Sequence, residues 1–217
     1  MISSKCLRIF TAAAPPFMKN GYLVADQRSD AAVLIDPGDE VDDLIARAAD
    51  QRLVVQAILL THAHLAHVTG VAQAKAAFDV DTWLHRDDDV LYRAVEQQGL
   101  MFGLRVKAQP PVDRFYQAGQ RLTVGGLTIA VHATPGHSPG GVCLEVRDDG
   151  ATELFVGDTL FAGSIGRTDL PGGDYETLIR SIRTVLFAFP DQTPVHSGHG
   201  PSTTIGQERM SNPFLRP

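Results

Sequence analysis

The chain is poor in cysteine, lacks a long hydrophobic run and carries no excess of positive charge. Its 217 residues include two cysteines, Cys6 and Cys143, and no Cys-x-x-Cys pair. A disulfide framework is therefore not expected, and a reducing compartment is the default. No apolar run is long enough to span a bilayer, and no signal peptide precedes Pro15 and Pro16. We therefore expect a cytoplasmic protein.

The charge balance argues against two classes of partner. The formal net charge is −6. Nucleic-acid binding needs a basic face, and anionic membranes attract basic segments, so we expect neither partner. The composition, 44% hydrophobic and 20% charged, is typical of a globular protein. We expect a single domain over residues 1–217, because this length can bury one large core.

Short apolar runs alternate with amphipathic helical patterns, which is typical of an α/β protein. Strands are predicted at residues 22–25, 32–35, 54–60, 83–85, 121–124, 127–133, 141–146, 154–156 and 193–196. The run 54–60 is almost continuously apolar, which predicts a strand buried on both faces. Helices are predicted at residues 41–48, 68–78, 87–98, 174–189 and 202–209, and a loop or partial lid at 101–119. These patterns do not determine the order of strands in a sheet.

Three of the eight histidines lie close together, directly after the predicted strand 54–60. Imidazole is a neutral ligand suited to Zn, Fe, Ni or Mn. Because His62 and His64 lie two residues apart on an extended turn, they can converge on one ion. His67 lies on the first helical turn and would face a neighbouring ion. Ala66, just before it, has no atom that can bind a metal.

Three further candidate ligands lie at predicted strand ends, where sites are built in α/β proteins. His137 follows a Pro-Gly pair, Asp158 follows a glycine, and His199 lies between two glycines. Glycine lets the backbone turn sharply and approach a metal closely. A carboxylate such as Asp158 can bridge two ions. For His85 and His132 we favour a structural role. His196 lies three residues before His199, and the sequence leaves open whether it is a metal ligand or a structural residue.

The ordered motifs resemble those of the metallo-β-lactamase superfamily, and within it the glyoxalase II-like hydrolases, a short bacterial hydroxyacylglutathione hydrolase type. That pattern is Thr-His-x-His-x-Asp-His, then Pro-Gly-His, Gly-Asp and Gly-His-Gly. All four blocks occur between Thr61 and Gly200, with Ala66 in the position of the motif Asp. Similar segments occur at Asp36, at residues 157–169 and in the C-terminal Asn-Pro-Phe-Leu.

The resemblance implies an αβ/βα four-layer sandwich with the metal site along one edge. We expect one or two zinc ions, with iron or manganese as alternatives. The ligands implied for the first ion are His62, His64, His137 and Asp158. Those implied for the second are His67, His199 and a bridging Asp158. Asp158 and His67 are then candidate catalytic residues, and Asp36 would orient a ligand.

The implied reaction is hydrolysis of a small-molecule thioester, with an acylglutathione such as lactoylglutathione as the reference substrate. A metal lowers the pKa of bound water from about 15.7 to about 7, which supplies hydroxide. Hydroxide attacks the thioester carbonyl, and a metal stabilises the oxyanion. Arg167 is the candidate for an anion contact with the substrate. An ion pair with Asp169 or Asp174 is the alternative role for Arg167.

The chain departs from the family pattern in two ways. Ala66 removes a charged ligand from the second ion, so we expect lower occupancy there and weakened turnover. Full-length glyoxalase II enzymes carry a C-terminal helical domain that clamps glutathione, and we expect this chain to lack it. The sequence therefore does not determine the thiol carrier or the acyl group of the substrate.

Two other functions compete with thioester hydrolysis. A mononuclear-iron persulfide dioxygenase would need two histidines and one carboxylate, here His62, His137 and Asp158. Gly140, Gly141 and the C-terminal Asn-Pro-Phe-Leu favour the hydrolase. A binding protein without catalytic activity is the second alternative, supported by Ala66 alone. The sequence leaves open whether Ala66 is natural or introduced.

Overall fold

Two six-stranded β-sheets pack face to face, and each is covered on its outer side by helices. This computed structural model describes residues 7–117, 119–148 and 150–216. The predicted αβ/βα sandwich, with its four layers in a single domain, is confirmed. None of the helices in these ranges has the length and apolarity needed to cross a bilayer.

The first sheet is antiparallel at one edge and parallel across the rest. Its strands, in spatial order, are β1 (Leu7–Ala14), β2 (Lys19–Asp26), β3 (Ala31–Ile35), β4 (Val54–Leu59), β5 (Thr82–Leu84) and β6 (Arg114–Phe115). Pairing is antiparallel from β1 to β3 and parallel from β3 to β6. Between these strands lie α1 (Val41–Asp50), α2 (Leu65–Val68), α3 (Val71–Phe78), α4 (Asp89–Arg93) and α5 (Val95–Met101).

The second sheet is built mainly from antiparallel neighbours. Its strands are β7 (Arg121–Val124), β8 (Leu127–Ala133), β9 (Val142–Asp148), β10 (Ala151–Gly157), β13 (Pro194–Ser197) and β14 (Thr203–Thr204). The spatial order is β14-β13-β10-β9-β8-β7, and β10 pairs with β13 in parallel. A small ribbon, β11 (Leu160–Phe161) and β12 (Ser164–Ile165), precedes α6 (Tyr175–Thr184), and α7 (Ile205–Ser211) follows β14.

Alternating apolar side chains explain why the layers pack in this way. In β9, Leu144 and Val146 lie in the apolar cluster between the sheets. Cys143 lies in the cluster under α6, together with Leu178. Successive strand residues face opposite sides, so both faces of β9 are covered. The outer face of the first sheet packs on α1 and α3 through residues such as Leu44.

All nine predicted strands and all five predicted helical regions occur, with ends shifted by a few residues. β1 was not predicted, because its alanines favour a strand weakly and it is a half-buried edge. β4 is buried on both faces only at its end, since Val54 is 59% exposed. The predicted helix 68–78 is interrupted at Gly70, and β6 lies within the predicted loop 101–119. Cys6 and residue 118 lie outside the described residues, and Cys143 is buried without a disulfide.

Asp88, at the end of the 3₁₀ helix Arg86–Asp88, ties together the loops that follow β4 and β8. Its fully buried carboxylate accepts hydrogen bonds from Ala63 N at 2.9 Å, Ser138 Oγ at 2.8 Å and Gly140 N at 2.6 Å. Burial raises the pKa of this carboxyl group despite the three donors. The relative position of two distant loops therefore depends on one side chain.

We predict that Asp88→Ala destabilises the protein by about 3 kcal/mol or more, because each buried donor left unsatisfied costs about 1–3 kcal/mol. Urea denaturation measures the change in the free energy of unfolding. The control is Asp87→Ala, since the Asp87 side chain is 62% exposed, and a change within about 0.5 kcal/mol is expected there. Equal midpoints for the two variants would contradict the role given to Asp88.

Candidate metal centre

The six predicted metal ligands follow four strands whose carboxyl ends meet at one edge of the sandwich. His62, His64 and His67 follow β4, His137 follows β8, Asp158 follows β10 and His199 follows β13. Their donor atoms form two sets, each with all atoms within 4.8 Å of one another. The first set is His62, His64 and His137, and the second is His67, Asp158 and His199. The tertiary structure thus brings all six residues together.

Two glycines allow the strand ends to approach this closely. Gly157 has a φ of +51°, and a Cβ atom there would lie 2.3 Å from Thr61 Oγ1. A Cβ atom on Gly198 would lie 2.1 Å from Asp158 Oδ1. Both glycines are therefore required by space, and Gly157 also by its left-handed backbone conformation.

Neighbouring groups orient the rings of the first donor set. His137 Nδ1 lies 2.7 Å from the carbonyl oxygen of Arg167, which can only accept, so this nitrogen carries the proton. His62 Nδ1 lies 3.0 Å from Thr61 Oγ1. His64 Nδ1 and His137 Nε2 are 2.8 Å apart. Nε2 of His62 and Nε2 of His64 are therefore free of hydrogen bonds, and Nε2 of His137 is the unprotonated nitrogen of its ring.

The first donor set is held neutral, which is the protonation state that a metal requires. Burial lowers the pKa of His62 well below its ordinary value, and the positive charge of His67 lowers it further. Burial is the largest cause that lowers the pKa of His64 to about 3. Burial also lowers the pKa of His137.

The second donor set behaves differently, because it contains the buried carboxylate of Asp158. Asp158 Oδ1 is 3.3 Å from His67 Nε2, and Asp158 Oδ2 is 3.5 Å from His199 Nε2. Burial alone would lower the pKa of His67, but the charges of Asp158 and Asp36 outweigh it and raise the pKa to about 9. Burial would likewise raise the pKa of Asp158, but the charge of His67 holds it well below its usual range. A metal at His67 must therefore displace a proton.

The chemistry of the donor atoms fits a metal ion. Among the described residues, four buried atoms of the predicted ligands make no hydrogen bond. They are Nε2 of His62, His64 and His67, and Oδ1 of Asp158. Buried polar atoms are rarely left without a partner, and imidazole with carboxylate is a donor set for zinc, iron or manganese. The residues whose donor atoms could hold the ions are His62, His64, His67, His137, Asp158 and His199.

Asp36 orients His67, as expected from the sequence. It could form a third donor set with His62 and His67. However, its carboxylate already accepts hydrogen bonds from Thr61 N at 2.7 Å, Thr61 Oγ1 at 2.6 Å and His67 Nδ1 at 2.9 Å. We therefore assign it to fixing the ring of His67 rather than to binding an ion.

Sequence reasoning missed two buried polar residues, Lys19 and Glu40, and the half-buried Gln98 beside the site. Lys19 is 1% exposed, pairs with Glu40 at 2.6 Å and donates to the backbone oxygen of Asp36. Gln98 accepts from Leu65 N at 2.9 Å and donates to Ala63 O at 3.0 Å, which fixes the backbone on both sides of His64. No signal marks these residues, because a polar residue on a strand or amphipathic helix normally faces solvent.

Ala66 lines a cavity of about 160 Å³ together with the predicted ligands His64, His67, His137, Asp158 and His199. The Ala66 side chain contributes no donor atom to the second set. A carboxylate at this position would lie at the wall of the same cavity. The departure from the family motif at Ala66 therefore leaves this part of the cavity wall without a carboxylate.

Arg167 lies beside the cavity but its charge is already paired. The guanidinium makes two hydrogen bonds to Asp169, each 2.7 Å long. Asp174 instead accepts from Thr177 N at 2.8 Å and caps α6, as predicted. The alternative role for Arg167, an ion pair with Asp169, is the one that the geometry supports.

The other three histidines lie outside both donor sets. His85 Nδ1 accepts from Asp87 N, and His132 Nε2 lies 2.7 Å from Glu145, in agreement with structural roles. His196, which the sequence left open, lies 2.8 Å from Glu153 and 3.0 Å from Ser202. We therefore assign it a structural role as well.

Comparison with known proteins agrees with this geometry. The model of the metallo-β-lactamase superfamily matches residues 14–201. Hydroxyacylglutathione hydrolase GloC of Haemophilus influenzae is 42% identical over 201 residues, which cover 92% of this chain and 93% of that protein. The chain spans nearly the whole length of this relative.

Two crystal structures are also similar. BLEG-1 B3 metallo-β-lactamase has 37% identity and a TM-score of 0.89, covering 97% of this chain and 100% of that one. TTHA1623 in a di-iron-bound form has 43% identity and a TM-score of 0.84, covering 95% of this chain and 100% of that one. With the family model, the sequence relative and the fold in agreement, this chain belongs to the metallo-β-lactamase superfamily.

Proposed function

We propose that this chain is a metal-dependent hydrolase of small-molecule thioesters of the acylglutathione type. The observation that carries the proposal is the pair of adjacent donor sets, in which Nε2 of His62 and Nε2 of His64 are buried without a hydrogen bond. Similarity to a protein named hydroxyacylglutathione hydrolase supports the reaction class.

We assign the first ion to His62, His64, His137 and Asp158, and the second to His67, His199 and Asp158. When bound, such a metal lowers the pKa of water to about 7 and polarises the thioester carbonyl. Zinc is our first choice, and the di-iron form of TTHA1623 supports iron as the alternative.

The residues of this chain orient the donor atoms and form the substrate site. Thr61 holds His62, the Arg167 carbonyl holds His137, and Asp36 holds His67. Oriented rings raise the affinity for the metal. Loss of such a hydrogen-bonding partner typically lowers metal affinity or activity by about 10–100-fold. A thiolate leaves readily without strong acid catalysis, so the proposal needs no further titratable side chain.

We predict that the metal-loaded protein hydrolyses lactoylglutathione and loses this activity when a chelator removes the metal. His62→Ala should lower kcat/KM by about 100-fold or more, since a direct ligand should matter at least as much as the group that orients it. Thioester absorbance measures the rate, and elemental analysis measures metal per chain. The matched control is His85→Ala, a histidine outside both donor sets, which should retain full activity.

Three outcomes would contradict the proposal. Full activity in the chelated protein would exclude a metal-dependent reaction. Oxygen uptake with glutathione persulfide and Fe(II), without thioester hydrolysis, would indicate a persulfide dioxygenase. A protein that binds none of zinc, iron and manganese would indicate a binding protein without catalytic activity.

We predict that Ala66→Asp increases the metal content towards two ions per chain and raises kcat/KM by about tenfold. The reason is that the new carboxylate supplies a charged ligand at the cavity wall beside the second donor set. Ala66→Asn serves as the control, because it adds similar volume without the charge. No rise in metal content or rate for the Asp variant would refute our interpretation of Ala66.

A further inference from the structure

The cavity beside the donor sets offers mainly apolar surface to a substrate. Outside the predicted ligands, its lining is Phe17, Leu65, Ala66, Phe102 and Leu170, with Gln98 and Arg167 as the polar members. Ala66 adds a methyl group where the family motif has a carboxylate. The cavity is therefore more apolar than the motif alone would imply.

Both polar members are already occupied by other parts of the chain. Gln98 uses its amide on the backbone of Ala63, Leu65 and Leu91. The Arg167 guanidinium is paired through two hydrogen bonds with Asp169. Among the described residues that line the cavity, the one guanidinium already has a carboxylate partner.

An apolar rim extends from the cavity to the surface. Phe17, between β1 and β2, packs edge to face on Phe102, after α5, with ring centroids 5.6 Å apart. Phe102 is 45% exposed, and its neighbours Leu100 and Met101 are 70% and 65% exposed. Met18 beside Phe17 is 56% exposed. Contiguous exposed apolar residues of this kind mark ligand or partner sites.

We infer that this cavity binds an apolar acyl group, aliphatic or aromatic, of the thioester substrate. The inference rests on the proposed function and specifies its substrate class. The volume of about 160 Å³ suits a six-membered ring, since an apolar cavity of about 150 Å³ in another protein binds benzene. A glutathione carrier has two carboxylates and an ammonium group, so it would extend into solvent, away from these mainly apolar walls.

The first test compares acyl groups on one neutral thiol, N-acetylcysteamine, with the metal-loaded protein. We expect kcat/KM to rise about fourfold for each methylene buried, and to be at least about tenfold higher for phenylacetyl than for lactoyl thioester. Phe102→Ala should reduce this ratio severalfold. The matched control is Phe214→Ala, because Phe214 is 46% exposed and outside the cavity, and it should keep the ratio unchanged.

The second test measures binding alone, so that it is independent of hydrolysis. The probes are the S-phenylethyl and S-ethyl thioethers of N-acetylcysteamine, which have no thioester carbonyl to hydrolyse. Calorimetry should give at least about tenfold tighter binding of the phenylethyl probe, and Phe102→Ala should abolish the difference. If this holds while no thioester is hydrolysed, the proposed function fails and the inference stands. Equal affinities would overturn the inference.

The competing occupant of the rim is a second copy of this chain. Sedimentation velocity over a wide range of protein concentration distinguishes this case. A monomer at every concentration supports a rim that is free for substrate. A dimer that Phe102→Ala dissociates, with no preference between the two probes, would assign the rim to self-association and overturn the inference.

Discussion

The buried carboxylate of Asp158 is the charge around which the site is arranged. It lies within 3.6 Å of ring nitrogens from His67, His137 and His199, which follow three different strands. An isolated carboxylate in the protein interior costs several kcal/mol, so it needs cationic partners there. In this chain His67 carries the compensating charge, and a metal would take its place. Convergence of the strand ends is thus an electrostatic requirement as well as a packing result.

The ligand-bearing loops are short, and side chains from elsewhere fix their positions. Asp88 joins the loop after β4 to the loop after β8. Gln98 fixes the backbone on both sides of His64, and Asp36 fixes Thr61 and His67. These groups lie outside the donor sets, yet they determine whether the donor atoms meet. Stability and metal binding therefore depend on the same hydrogen bonds.

Ala66 connects the metal centre to the substrate cavity. Its side chain offers no donor to the second set, and it contributes apolar surface to the cavity that Phe17 and Phe102 continue outward. Under the proposed function, this one residue therefore bears on metal content through charge and on substrate choice through hydrophobic contact. The two effects are separable, because the binding of an apolar thioether needs no reaction.

The sequence by itself determined nine of the strands and the helical regions, because periodicity is a local property. The resemblance of its ordered motifs implied the family and the residues of both donor sets. His62, His64 and His67 were identifiable from their separation alone. Only the tertiary structure decided the order of the sheets, the pairing of Arg167 with Asp169 and the roles of Lys19, Asp88 and Gln98. The partners of Lys19, Asp88 and Gln98 lie far away in sequence, and a buried polar residue looks like a solvated one until the chain folds around it.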